Sequence, residues 1–156
     1  MRRTSVILLA LALLGCAKEP SPEQTASAIY HGGTIVTMDA TTPTVSAFAV
    51  KDGRVFDIGT YEQMHDRHAG PLTLMIDLKD RALLPGYADV SEESQATAAL
   101  AALMPDSAQT ARIAKGEPAD FVIFDHNPVG AVDTREIRVL ETIRAGETVF
   151  LAGEKE

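Results

Sequence analysis

Apolar and polar residues alternate along several short segments of this chain, a pattern typical of β-strands. Turn-forming residues separate these segments. His31-Gly32-Gly33 predicts a hairpin, Asp52-Gly53 supplies the positive φ of a second tight turn, and Ala145-Gly146-Glu147 predicts a third. The predicted strands cover 28–30, 34–38, 45–50, 54–58, 72–78, 121–124, 137–144 and 148–151. The run at 121–124 is apolar on both faces, which predicts a central strand.

Two segments indicate helices. Residues 60–68 are polar and predict a short helix with Thr60 as its N-cap. A second helix is predicted near 91–103, where four apolar residues recur at helical spacing: Ala96, Leu100, Leu103 and Met104. Strand-rich halves therefore lie on both sides of this second helix and need each other to bury their apolar faces. We predict a mainly β fold, a β-sandwich over 28–151 with one or two short helices.

The N-terminus has the order of a secretory signal peptide. Arg2 and Arg3 precede nine apolar residues, 6–14, which are too few for the roughly 20 that span a bilayer. Gly15 and then Cys16, the single cysteine, follow. This segment resembles a lipoprotein lipobox, in which 1–15 are removed and the Cys16 thiol is acylated. An ordinary signal peptide, or a coincidental cysteine in an anchor helix, is the alternative.

The residues after Cys16 are rich in Pro, Ser, Glu and Gln, so 16–27 are expected to form a flexible tether. We expect an exported protein that is held in the cell envelope by its lipid, on the periplasmic or outer-membrane side. Ala17, where sorting signals for the inner membrane have Asp, favours the outer membrane by resemblance to lipoprotein sorting.

Charge narrows the set of partners. The chain has a net charge of −8 and the sequence contains no basic cluster, which argues against nucleic acid and against electrostatic attraction to anionic lipid. Membrane attachment is therefore expected through the acyl chains of Cys16. A single cysteine, once acylated, leaves no disulfide within the chain, so the domain must be held by packing.

Several fragments share a further likeness. They are 33–39, 49–55, 76–78, Leu83-Leu84-Pro85-Gly86-Tyr87-Ala88-Asp89, Lys115-Gly116-Glu117-Pro118-Ala119-Asp120 with the strand after it, and 137–143 with Gly146. In this order they resemble the N- and C-terminal flanks of the metal-dependent amidohydrolase superfamily, most closely its amidohydrolase-3-like branch. In that family the flanks form a composite β-sandwich around a metal-binding barrel. The resemblance thus implies a composite β-sandwich and, for an intact member, hydrolysis of non-peptide carbon–nitrogen bonds.

The chain departs from the family where the metal should bind. Family members carry a His-x-His pair after Leu-Pro-Gly-Phe-Ile-Asp, whereas Ser91 and Glu93 occupy those two positions here. The remaining ligands lie on later strands of a barrel that needs about 250 residues. Only 25 residues, 90–114, separate Asp89 from Lys115. The sequence therefore predicts no metal, no cofactor and no catalytic residues.

Other residues with chemical potential have simpler interpretations. His65 and His68 are three apart on the short helix and are interpreted as solvated, since a partial site of two histidines lacks the three or four protein ligands of a zinc site. His31 is interpreted as a turn residue, and His126, beside Asp125, as a loop residue.

The start of the second helix offers three further candidates. Adjacent Glu92 and Glu93 do not face each other on a helix, so helix N-terminal charge is favoured over an acid–base pair. Ser91 is interpreted as an N-cap rather than a nucleophile.

Three functions remain open at this point. The first is a membrane-anchored, non-catalytic binding or accessory module, with a protein partner or self-association at the surface that the barrel would cover. The second is a hydrolase whose barrel or metal site is supplied elsewhere. The third is a non-functional remnant of an internal deletion.

Overall fold

The computed structural model describes residues 21, 23–86, 111–128 and 137–153. In these ranges the chain forms eight strands and one helix, so the mainly β prediction is confirmed. In chain order the elements are β1 (Ala28–Val36), β2 (Thr44–Lys51), β3 (Arg54–Gly59), α1 (Tyr61–His68), β4 (Leu74–Asp77), β5 (Ala82–Pro85), β6 (Phe121–Phe124), β7 (Val139–Arg144) and β8 (Glu147–Leu151). The helix predicted near 91–103 lies outside the described residues.

The strands form one mixed sheet in the order β3-β2-β1-β5-β6-β7-β8. Strand β1 is long enough to pair in parallel with β4 over its first residues and with β5 near its end. Strand β5 then pairs antiparallel with β6, from Ala82 opposite Phe124 to Pro85 opposite Phe121. This pairing joins the two halves of the chain directly, and β6 lies between β5 and β7 as its apolar sequence predicts.

The sheet curls so that its two ends meet. Just before β6, the N–H of Ala119 donates to the Gly53 carbonyl (2.9 Å), and the N–H of Gly146 donates to the Ala119 carbonyl (3.0 Å). A Cβ on Gly53 would lie 2.8 Å from the Ala145 carbonyl oxygen, so the β2–β3 and β7–β8 turns are in close contact. The domain is sandwich-like because one sheet wraps around its own core.

Aromatic rings fill the centre of that core. Tyr30 stacks on Phe48 with ring centroids 5.0 Å apart, and Phe121 meets both rings edge-on at 4.9 and 5.3 Å. Burial of the Tyr30 hydroxyl raises its pKa far above the usual value. On the outer face of β1 and β2, a second cluster packs beneath α1: Ala26, Ile29, Ala47, Ala49 and Met64. A third cluster lies on β5 and β6: Ala82, Leu84, Val122, Phe124 and Ile137.

The hairpin predicted at His31-Gly32-Gly33 is wrong. Strand β1 continues through these residues, and its register with β2 shifts between His31 and Ile35. A Cβ on Gly33 would collide with the Arg81 carbonyl and the Leu78 side chain, so this glycine permits a close approach of two chain segments. The two turns with Asp52-Gly53 and Ala145-Gly146 are confirmed, with φ of 49° and 73° and of 48° and 77°.

The strand predicted over 72–78 is shorter than expected. Strand β4 begins at Leu74, and the side chains of Leu72 and Leu74 are 90% and 65% exposed. Leu78, in contrast, is fully buried just after the strand. Among the described strands β4 pairs with β1 alone and lies at the side of the main strand order. Ile76 in the middle of β4 packs against the core, whereas Leu74 at its start does not. Strand β5 was not predicted, and it ends in Pro85, a residue that usually argues against a central strand.

Candidate functional site

Helix α1 is fixed by its own first turn. The hydroxyl oxygen of Thr60 accepts from the Gln63 N–H at 3.3 Å, and the Gln63 side-chain oxygen accepts from the Thr60 N–H at 3.1 Å. This reciprocal capping box satisfies two backbone donors at the helix start. The predicted short helix and its N-cap are therefore confirmed. The same helix places Met64 and His68, four residues apart, on its buried side.

His68 is the principal correction to the sequence interpretation. It is buried rather than solvated, with a side chain 11% exposed. Its Nδ1 lies 2.9 Å from the Gln24 carbonyl oxygen, and its Nε2 lies 3.0 Å from Asp57 Oδ2. Both partners are oxygen atoms that can accept a hydrogen bond, so each imidazole nitrogen faces an acceptor. The Phe56 ring meets the imidazole edge-on at 4.9 Å and closes the pocket.

Asp57 also meets two cations, Lys115 from the segment before β6 and Arg67 from α1. Lys115 Nζ lies 3.6 Å from Oδ1, and Arg67 Nη1 lies 3.8 Å from Oδ2. Burial of the Asp57 carboxyl raises its pKa, but the His68 hydrogen bond and the Lys115 charge outweigh this and hold the pKa below its ordinary value. The ionised carboxylate thus links β3 to α1 and to the segment before β6. We refer to His68, Asp57, Arg67, Lys115 and the Gln24 carbonyl as the Asp57 cluster.

The contacts of the Asp57 cluster are made between groups of the protein itself. Both imidazole nitrogens are within hydrogen-bonding distance of oxygen atoms of the protein itself. The Asp57 carboxylate in turn meets the side chains of His68, Lys115 and Arg67. The cluster therefore ties the segment before β1 to the domain.

The other histidines lie apart from this cluster. His65 is 53% exposed and contacts Asp66 at 3.2 Å, so its solvated interpretation is confirmed. His31 lies inside β1, and its ring is 4.5 Å from that of Tyr61, so the prediction of a turn residue is wrong. His126, in the bend after β6, pairs with Asp125 at 2.8 Å.

The described residues do not fit the metal that the family resemblance implies. Within these ranges, no group of three or more His, Cys, Asp or Glu side chains converges closely enough to hold an ion. The predicted lipid-attachment residue Cys16, and the candidates Ser91, Glu92 and Glu93, lie outside the described residues. In the part of the chain that the structure describes, no helix has the length and apolarity to cross a bilayer.

Two open depressions lie on the described surface. A cleft of about 520 Å³ runs along the β1 irregularity beside His31, Thr34, Ser46 and Tyr61. A larger groove of about 720 Å³ lies where the chain enters the domain. Its walls are 25–27, Lys51 with Asp52, and the apolar side chains of Pro71, Leu72 and Leu74. We call it the entry groove.

Comparisons with known proteins give a limited relationship. No family model matches the chain. A stretch of 62 residues, 40% of the chain, is 36% identical to part of the Bacillus subtilis protein YtcJ, named as an amidohydrolase, and spans 12% of its length. A crystal structure of a Bacillus thuringiensis protein matches 42% of this chain and 85% of its own, with 35% identity and a TM-score of 0.37. The chain therefore has a weak amidohydrolase-like relationship over less than half of its length.

Proposed function

We propose that this chain is a membrane-anchored lipoprotein whose domain is related to the flanking β-domain of amidohydrolases and acts as a non-catalytic binding or accessory module. The direct pairing of β5 with β6 carries the proposal. These strands come from the two segments between which, by the family resemblance, the catalytic barrel would be inserted.

The connection between these strands is short. Beyond the strand ends, the N–H of Gly86 donates to the Asp120 carbonyl at 3.2 Å. Only residues 86–120 separate β5 from β6, whereas a (β/α)₈ barrel needs about 250 residues. The flanking strands of this chain thus pair with each other across an interval too short for the family's catalytic domain.

The Asp57 cluster supports an accessory role. Its histidine and carboxylate face each other and the backbone, and they fasten the segment before β1 to β3 and α1. A domain secured at its entry point is suited to being held at a membrane and presenting its remaining surface to a partner. The anchor itself rests on the order of charged, apolar and small residues before Cys16.

Mass spectrometry and fractionation of the full chain test the proposal. Expressed in a bacterium, the chain should begin at an acylated Cys16 and fractionate with the envelope, whereas C16S should retain an unacylated N-terminus. The purified lipoprotein should not hydrolyse acylated amines, with or without added zinc. An unmodified Cys16 in the mature chain would refute the anchor, and turnover that rises with zinc would refute the non-catalytic role.

A hydrolase assembled with another chain is the second candidate, favoured by the amidohydrolase name of the Bacillus subtilis relative. Here a separate barrel would supply the metal. Affinity purification of the full chain from its own envelope distinguishes the two. Co-purification of a metal-containing subunit together with turnover of an acylated amine would favour this candidate over the accessory module.

A further inference from the structure

We propose that the apolar wall of the entry groove rests on the lipid bilayer, with Leu72 and Leu74 at the boundary between headgroups and acyl chains. The inference builds on the lipid anchor proposed above. It adds which face of the domain meets the membrane and which side chains make that contact.

The wall is unusually apolar for so exposed a position. Leu72 is 90% exposed and Leu74 is 65% exposed, and Pro71 continues the same wall. Single exposed leucines are ordinary on protein surfaces. Here two leucines and a proline along one groove form a compact apolar strip, whose side chains can enter the interfacial region of a bilayer.

The chain itself places this strip next to its anchor. Residues 25–27 line the groove, and backbone bonds fix them to its other walls. The N–H of Leu74 donates to the Ser27 carbonyl at 3.0 Å, and the Thr73 hydroxyl donates to the Ala26 carbonyl at 2.8 Å. The end of the tether and the apolar strip are therefore one fixed unit.

The length of the tether limits how far this unit can lie from the bilayer. Thr25 follows Cys16 by nine residues, which reach at most about 30 Å when fully extended. An acylated Cys16 thus keeps the entry groove near the membrane. A tether that is not fully extended brings the groove to the membrane surface. The tether does not hold the opposite end of the domain near the membrane in this way.

The charges of the groove and of the whole chain favour an apolar contact with the membrane over an ionic one. Lys51 and Asp52 lie together at the groove, and Lys51 Nζ donates to the Glu23 carbonyl at 2.7 Å. The chain as a whole carries −8, so anionic headgroups would repel it. We therefore assign the contact of the strip to the apolar boundary of the bilayer. Vesicles of zwitterionic phosphatidylcholine alone provide such a boundary.

The absence of tryptophan from the sequence gives a clean test. L72W introduces a single indole at a side chain that is already 90% exposed, and L151W introduces one at a side chain that is 69% exposed on β8. Both acylated full-length proteins are reconstituted into phosphatidylcholine vesicles with and without brominated acyl chains. L72W should shift to shorter wavelength and lose about half of its emission to bromine, and L151W should do neither. Adding L74N to L72W should weaken the quenching.

Flotation of wild-type chain and C16S with the same vesicles separates the two proposals. If wild type floats and C16S does not, and if L72W is quenched while L151W is not, the contact is supported. Wild type that floats while L72W stays unquenched overturns the contact and leaves the anchor. Wild type that does not float refutes the anchor, and the contact with it. A blue shift of L72W that appears without vesicles, together with a dimeric mass, overturns the contact in favour of self-association.

Discussion

Helix α1 and strand β4 follow each other in the chain, yet they invert the usual relation between polarity and burial. The mostly polar helix buries Met64 completely and His68 almost completely. Leu74, at the apolar start of β4, is exposed, and so is Leu72 in the preceding turn. The difference lies in the partners. Two acceptors meet His68, whereas in the described ranges β4 has only β1 as a neighbouring strand. Burial thus follows the available partners, and hydrophobicity alone does not predict it.

Truncation of the buried helix residue should have the largest effect on stability. M64A removes a fully buried side chain between α1 and the outer face of β1 and β2, so we expect a loss of about 2–5 kcal/mol in the free energy of unfolding. L72A, in the exposed turn, should stay within about 0.5 kcal/mol of wild type. Urea unfolding measures both. Equal losses would show that the turn before β4 is covered as well as the helix is.

Removal of the buried histidine should come next. H68A removes the ring that contacts the Gln24 carbonyl and one of the three side chains that contact Asp57, which should cost about 2–3 kcal/mol. The matched control is H65A, three residues earlier on the exposed side of the same helix, with an expected change of about 0.5 kcal/mol or less. If the two variants unfold at the same urea concentration, the Asp57 cluster does not stabilise the domain.

The helix cap should contribute less than the buried face. T60A removes the acceptor for the Gln63 N–H and should cost about 1 kcal/mol in thermal or urea unfolding. T60S keeps a hydroxyl at the N-cap and should remain close to wild type. A T60S variant as unstable as T60A would mean that the Thr60 methyl group, and not the cap, is what matters.

The pH dependence of the Asp57 cluster should be the smallest effect. Because the folded-state pKa of Asp57 lies below its ordinary value, its ionised form stabilises the fold above about pH 4. This contribution should be lost as the pH falls through the lowered folded-state pKa. The difference in unfolding free energy between wild type and D57N should accordingly shrink on acidification. A difference that grows on acidification would contradict the assigned direction.

The predictable parts of this fold are local in sequence. The Thr60 N-cap acts within the first turn of α1, and the Asp52-Gly53 turn lies within two residues, so the sequence predicts both. Gly33 was misinterpreted because its role depends on Leu78 and Arg81, more than 40 residues away. His68 was misinterpreted for the same reason, since its acceptors are 44 and 11 residues distant. Its spacing of four from Met64 was the one local signal of burial.

The central claim, an amidohydrolase-related β-domain without the family's chemistry, is tested most directly by the zinc content of the pure full-length protein. Elemental analysis after dialysis, on a sample shown to melt cooperatively, should find far less than one zinc per chain, since a catalytic zinc site needs about three protein ligands. Zinc at about one or two equivalents per folded chain would contradict the account and return hydrolysis to first place.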